Sequence, residues 1–256
     1  MAEPIIYTKN YVNEDDTFSV SHGSSSFANA YDRDVDSQWE SVGANSDLTD
    51  VTIDITFYQG SVAVERTIDR MILLNHNLKS YDLYYWDGAT FQSWLSASAQ
   101  TGDNHIKTLT SHTTSIARLV IHTTQTSNAE KAIGELVLCE EQLALAQDMA
   151  QYEVIYDQNT RDVVAGDGTF QRKIKKFSEN RYQKYAAAMA FNNLSESNLE
   201  NLLAIKDTGQ PFLWQPESTA RPDELYYVDW VDAIKYRYQD LYKGAGFHVE
   251  FSVKEK

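Results

Sequence analysis

Cysteine is nearly absent from this 256-residue chain, Cys139 being the single one. No intramolecular disulfide can form, and the apolar stretch Ile133 to Cys139 predicts a buried, inert thiol. Positive charge is also scarce: 22 Lys and Arg face 37 Asp and Glu, a net charge of −15. That sign is wrong for gripping nucleic-acid phosphates or an anionic lipid surface, so neither partner is expected. No apolar run approaches the roughly 18 residues of a membrane span. The start Met1-Ala2-Glu3-Pro4 carries no Lys or Arg ahead of its apolar pair Ile5-Ile6, unlike a secretory leader. A protein made in a cytoplasm and remaining in solution is the expectation.

Catalytic signatures are missing as well. Neither Gly-x-Ser-x-Gly nor His-Glu-x-x-His occurs. The histidines His22, His76, His105, His112, His122 and His248 are scattered singly, and no two share the i, i+4 spacing of a helical metal pair. The chain is read as a non-enzyme.

What is present is a mainly β protein in two parts. At about 150 residues per domain the length allows one or two, and 16 Tyr within a 12% aromatic share lean towards strands. Residues 1–142 carry 8 basic against 20 acidic residues, or −12, while 143–256 carry 14 against 17, or −3. In the first part Val51, Ile53, Ile55 and Phe57 alternate with polar residues, the period-two mark of a half-buried strand. Further apolar segments at Met71–Leu74, Tyr81–Trp86, Ile116–Ile121 and Ile133–Cys139 have the spacing of an antiparallel sandwich. The helix-forming residues Glu140 to Ala150 predict a short connecting helix.

In the second part a hairpin is expected around Ala165-Gly166-Asp167-Gly168. A helix is expected over Ser195–Lys206, with Ser197 and Glu200 at capping-box spacing and Gly209 and Pro211 as the stop. Strands follow at Phe212–Trp214, Leu225–Trp230, Ile234–Tyr238 and Phe247–Val253, the last with Phe247, Val249, Phe251 and Val253 inward.

The stretch Ala30-Tyr31-Asp32-Arg33-Asp34-Val35-Asp36-Ser37-Gln38-Trp39 has two readings. Clustered oxygen ligands in a loop suit a hard cation such as Ca²⁺; a solvated acidic loop anchored by Trp39 fits the same residues. Through Ala30, Asp32, Asp34, Ser37 and Trp39 it resembles the discoidin or galactose-binding-like pattern Ala-x-Asp-Gly-Asp/Asn-x-x-Thr-x-Trp, with Arg33 in place of the glycine and Ser37 in place of the threonine. The likeness runs through about residues 15–140 and closes on Ile133-Gly134-Glu135-Leu136. It implies a jelly-roll sandwich, a structural Ca²⁺ near Asp32, Asp34, Ser37 and Glu135 as the one candidate cofactor, and sugar or lipid head-group binding by end loops. Trp86, Phe91 and Trp94 are the aromatic candidates for a glycan, since sugar C–H faces stack on flat rings; the same residues also suit core or loop packing.

From about residue 150 onward, a strand ending in Ala186–Phe191, the helix, Pro211-Phe212-Leu213-Trp214-Gln215-Pro216, Tyr226–Trp230 and the closing Gly246–Glu255 resemble distal-tail and minor-tail proteins of tailed bacteriophages. This likeness implies a tail-tube-like β-sandwich with one flanking helix, assembling with copies of itself into a ring, commonly a hexamer, on a virion tail beside other tail proteins. Trp214, Tyr226, Trp230, Tyr236 and Tyr238 are the candidate ring-interface residues, because Tyr and Trp favour interfaces where one end stays wet; an ordinary monomeric core would use the same rings. The alternative function is a monomeric lectin-like protein.

Overall fold

The computed structural model describes the chain except residues 1–3, 8–9, 24–26, 35–36, 142, 146–148, 159, 165–169, 175–182, 217, 219–223, 240–245 and 256; for 149–184 and 239 only the backbone is described. The expected turn at Ala165–Gly168 lies outside the described residues, and so do the side chains of the basic cluster Arg172-Lys173-Ile174-Lys175-Lys176. The fold is mainly β. It divides into two compact units, Lys9–Glu141 and Met1–Thr8 with Gln142–Lys256. No helix among the described residues is long and apolar enough to cross a membrane.

The unit Lys9–Glu141 is an antiparallel two-sheet sandwich. One sheet has the order His105–Thr114, Arg66–His76, Ala132–Cys139, Trp39–Glu40; the other runs Thr17–Val20, Val51–Thr56, Ile116–Thr124, Leu78–Trp86, Phe91–Ala97. Alternation sets the inner face. Val51, Ile53, Ile55, Ala117, Leu119, Ile121, Tyr81 and Leu83 are buried and meet Ile68, Met71, Leu73, Leu136 and Leu138 of the other sheet in one core. Each such aliphatic side chain contributes about 1.5–3 kcal/mol by leaving water. Cys139 is wholly buried, and burial pushes its thiol pKa up, as its apolar neighbours predict. His76 is buried too, with Nε2 facing no hydrogen-bond partner; burial, and then the neighbouring His105, lowers its pKa to about 4.

In the other unit an eight-stranded antiparallel sheet runs Leu143–Ala144, Ile5–Tyr7, Phe212–Gln215, Tyr226–Trp230, Gly246–Glu255, Gln183–Leu194, Met149–Gln158, with Lys235–Gln239 also paired to Gly246–Glu255. The expected hairpin is Thr160–Val164 paired with Phe170–Ile174. The helix is Glu196–Asp207, buried through Leu199, Leu202 and Ile205. Its N-cap is Ser195, whose side chain accepts from the Asn198 amide, two residues before the Ser197 expected from capping-box spacing. Gly209, at φ +62, follows as the stop.

Two expectations are corrected here. Among the described residues of the helix-forming stretch after Glu140 there is no connecting helix: Leu143–Ala144 pairs with Ile5–Ile6 and Met149 opens a strand. Ladder hydrogen bonds outweigh a helix propensity worth only tenths of a kcal/mol per residue. The first residues also differ from the 1–142 grouping, because Ile5–Tyr7 is sheet-bonded to Phe212–Gln215 on one side and to Leu143–Ala144 on the other. Ile6 is fully buried in that unit's core.

Loop 41–50 is organised by a buried cation. Lys131 has no exposed surface, and its ammonium donates to the carbonyls of Ala44 (2.8 Å) and Ser46 (3.0 Å). Burial lowers its pKa, against the charges of Asp47, Asp50 and Glu130. Lys131→Met leaves the Ala44 carbonyl without this donor and the Ser46 carbonyl with the Thr49 amide alone (3.0 Å), so the unfolding free energy from urea curves followed by tryptophan fluorescence is expected to fall by about 1–3 kcal/mol; an unchanged value contradicts this account.

Candidate functional site

Because residues 81, 83, 117, 119, 121, 51, 53 and 55 point inward, their alternates stand on the opposite face of the five-stranded sheet. Those alternates include Asp82, Tyr84 and Trp86, Arg118 and His122, and Asp54, with Phe91 and Ser96 opposite Trp86 and Asp82 on the neighbouring strand. Trp86 and Phe91 end the two strands of a hairpin. Its turn is closed by Asp87, whose carboxylate accepts from the amides of Thr90 (2.7 Å) and Ala89 (2.8 Å) while Gly88 takes φ +98. The paired rings lie 5.1 Å apart, tilted by 66°.

Arg118 ties this aromatic pair to the charges. Its guanidinium lies 3.8 Å from the Phe91 ring centre and grips Asp54 through both carboxylate oxygens, at 2.6 and 2.7 Å. The hydrogen bond to Asp54 raises its pKa. Farther along, His122 bridges two acids, Nδ1 at 3.0 Å from Asp50 and Nε2 at 3.1 Å from Asp82. The Tyr84 hydroxyl also donates to Asp82 (3.3 Å). Partial burial alone would lower the His122 pKa; the hydrogen bonds and charges of Asp50 and Asp82 outweigh it and raise the value. For Asp82, burial raises the pKa, and the hydrogen bonds from Ser96 and His122 turn the net shift downward. The result is a half-exposed surface on which aromatic rings stand beside oriented hydrogen-bonding groups.

The structure joins two of the three aromatic candidates on this face. Trp94 sits elsewhere: its ring packs edge-on to Tyr85 (5.3 Å) and His112 (6.0 Å), and its indole N–H donates to the Thr110 carbonyl (2.7 Å). The strand irregularity between Leu83 and Tyr84 falls opposite Trp94 and accompanies this placement. Tyr84, Arg118, Asp54, Asp82 and His122 were not among the sequence candidates. The available signal was alternation, which already marks Asp54 and Arg118 as outward once their strands are drawn.

Asp32, Ser37 and Glu135 do converge on one loop. The Ser37 hydroxyl donates to Asp32 (2.7 Å), as does the Asp34 amide (2.8 Å). The buried Glu135 accepts from the Arg33 amide (3.0 Å) and from the Asn10 side chain (3.5 Å). Arg33 holds φ +65, the left-handed conformation in which glycine is at ease, at the position where the resemblance has glycine. The turn therefore survives that replacement. Trp39 anchors the loop's end, fully buried, its indole N–H donating to the Gly23 carbonyl (2.9 Å). A Cβ at Gly23 would come within 2.4 Å of the Val42 amide nitrogen, so this close approach requires glycine. All four candidate ligands offer oxygen, yet among the described residues no three acidic, His or Cys side chains gather as a metal cluster. Protein donors already meet the carboxylates of Asp32 and Glu135.

The candidate interface residues separate by burial. Trp214 is fully buried and donates to the Tyr185 hydroxyl (3.0 Å), so it is a core residue and its place at an interface is corrected. Tyr226 is half-buried and stacks on Tyr185 at 3.9 Å, and the half-buried Trp230 packs on Phe212 and Phe251. Tyr236 and Tyr238 are exposed, at 54% and 59%.

No known protein family matches the chain, and no curated protein matches it. Several solved structures are similar over about half of it. Chitosan-binding module 1 of a chitosanase/glucanase from Paenibacillus sp. IK-5 shares 17% identity, covering 52% of this chain and 99% of that one, with a TM-score of 0.42. The family 32 carbohydrate-binding module of Clostridium perfringens NanJ, in complex with galactose, shares 10%, covering 54% and 99%, at 0.43. Another C. perfringens module, in complex with GalNAc-β-1,3-galactose, shares 14%, covering 52% and 100%, at 0.42.

The bridge at His122 gives a pH signature. Its folded pKa stands above the unfolded value of about 6.5, so its stabilisation is fully present below about pH 6.5 and is lost as pH rises through the folded value. His122→Gln should therefore cost more stability at about pH 5.5 than at about pH 9. The gap should be about 0.5–1 kcal/mol, given that the ring is one-third exposed and screened by solvent. Unfolding curves of both proteins at the two pH values check this, and an equal cost at both contradicts it.

Proposed function

We propose that this chain acts by binding and not by catalysis, and that its Lys9–Glu141 unit contacts glycan through the Trp86–Phe91 face. The observation that carries the reading is the ring pair on the outward face, fixed by Arg118 stacked on Phe91 and clamped to Asp54. Sugar rings present apolar C–H faces and a rim of hydroxyls. They pair with flat aromatic rings flanked by oriented acceptors and donors, and the ordering cost is small where those groups are already held.

Trp86→Ala and Phe91→Ala should each weaken retention of the full chain on an immobilised panel of galactose-, glucose- and xylose-based glycans about tenfold, the equivalent of about 1.4 kcal/mol. The variants should keep the wild-type unfolding midpoint. Undiminished retention by both rules this face out.

A second reading, a ring-forming structural component of a phage tail within the virion, is favoured by one feature. The strand Lys235–Gln239 bonds only to Gly246–Glu255 among the described residues and exposes Tyr236 and Tyr238. Such an edge invites pairing. Pairing with its own copy about Arg237 would set like charges opposite each other, so the contact in a ring would join unlike surfaces, as ring closure needs. Glycan-contacting units around a ring would turn weak contacts into avidity. Light scattering after size exclusion is expected to give about six times 29.1 kDa for the ring; a monomer in the presence of other tail proteins contradicts it.

A further inference from the structure

We infer that the Trp86–Phe91 face takes internal units of an uncharged, extended glycan laid along the strands, in preference to an anionic glycan or a single sugar. This rests on the glycan reading above and names its ligand class.

The face is charge-rich but internally matched. Its two cations are both engaged, Arg118 by both oxygens of Asp54 and His122 by Asp50 and Asp82. An incoming uronate or sulfate would have to displace a carboxylate already in place, losing one ion pair for each it forms. It would also approach a unit with 8 Lys and Arg against 19 Asp and Glu over residues 9–141, a net of −11, and like charge slows and weakens such an encounter. Hydroxyls meet no such penalty, because the outward carboxylate and phenol oxygens keep lone pairs that can accept from sugar O–H groups.

Extent argues for a chain over a single sugar. Trp86, Tyr84 and Asp82 alternate along one strand, so the polar groups reach about 13 Å from the aromatic pair, at roughly 3.3 Å per residue. Arg118 and His122 run beside them on the next strand, and Phe91 and Ser96 on the other side. Sugar stacked on Trp86 and Phe91 leaves the Tyr84, Asp82 and His122 stretch to be met by the units that follow it.

The test uses the full chain and calorimetric titration with uncharged gluco-, xylo- and galacto-oligosaccharides of one to six units, and with oligogalacturonates of the same lengths. Affinity is expected to climb at least tenfold from one unit to four and then level off, with the oligogalacturonates at least tenfold weaker at equal length and salt. Trp86→Ala should lower the affinity at every length, whereas Asp82→Asn should flatten the climb from one unit to four. If oligogalacturonates bind as well as neutral chains, or a single sugar binds as tightly as a tetrasaccharide, while Trp86→Ala still weakens binding, the ligand class is wrong and the glycan site stands. If every sugar that binds is indifferent to Trp86→Ala and Phe91→Ala, or none binds, the glycan site itself falls.

Discussion

A β-strand has two sides, and everything proposed for the Lys9–Glu141 unit depends on that. The register that places Ile55 against Ala117 and Ile53 against Leu119 delivers the apolar half of each strand to the core. It delivers Asp54 and Arg118 to the same spot outside. A slip of one residue would bury the ion pair and expose the aliphatics, exchanging burial worth several kcal/mol for desolvated charge. Core packing thus fixes the surface arrangement as firmly as the interior. The Trp86–Phe91 face needs no separate scaffold.

The unit's two differently placed histidines make its response to acid two-sided. His76, buried without a partner on Nε2, holds its pKa near about 4 and is best accommodated neutral. His122, between two carboxylates, is best accommodated charged. Lowering pH therefore opposes folding at one ring while favouring it at the other, and the two contributions partly offset in the range where free histidine titrates. Lys131 shows a third solution: a cation kept indoors by two carbonyls, where it serves as the pin of loop 41–50.

Much of the fold was legible because periodicity survives in the sequence. The alternation at Val51–Phe57 and at Phe247–Val253 appears as strands facing the way the pattern says. The helix was marked by Leu199, Leu202 and its terminal Gly209, although its cap lies at Ser195. The misses share a cause. Ile5–Tyr7 and Leu143–Ala144 are short, and only a distant strand partner makes them strands. Of the candidate site, Trp86 and Phe91 could be named from their types. Asp50, Asp82 and His122 could not, for each alone reads as a solvated polar residue, and only the pairing of three strands brings them within hydrogen-bond reach. Trp214 failed in the opposite sense: a large aromatic in a strand suits an interface or a core equally, and only the Tyr185 hydroxyl that receives its N–H identifies the core.

The order of the chain through the two units has a consequence for how such a protein can be rebuilt. Ile5 and Ile6 lie antiparallel beside Ala144 and Leu143, so the backbone departs from one unit and re-enters it at adjacent points. In the other unit Tyr11 donates its amide to the Leu138 carbonyl, so that unit's own ends also meet. The sandwich is spliced in like a cassette. Excising residues 9–141 and joining the flanks with a tight turn would unthread no strand, and a different sandwich could be grafted at the same seam, leaving the host sheet to fold as before.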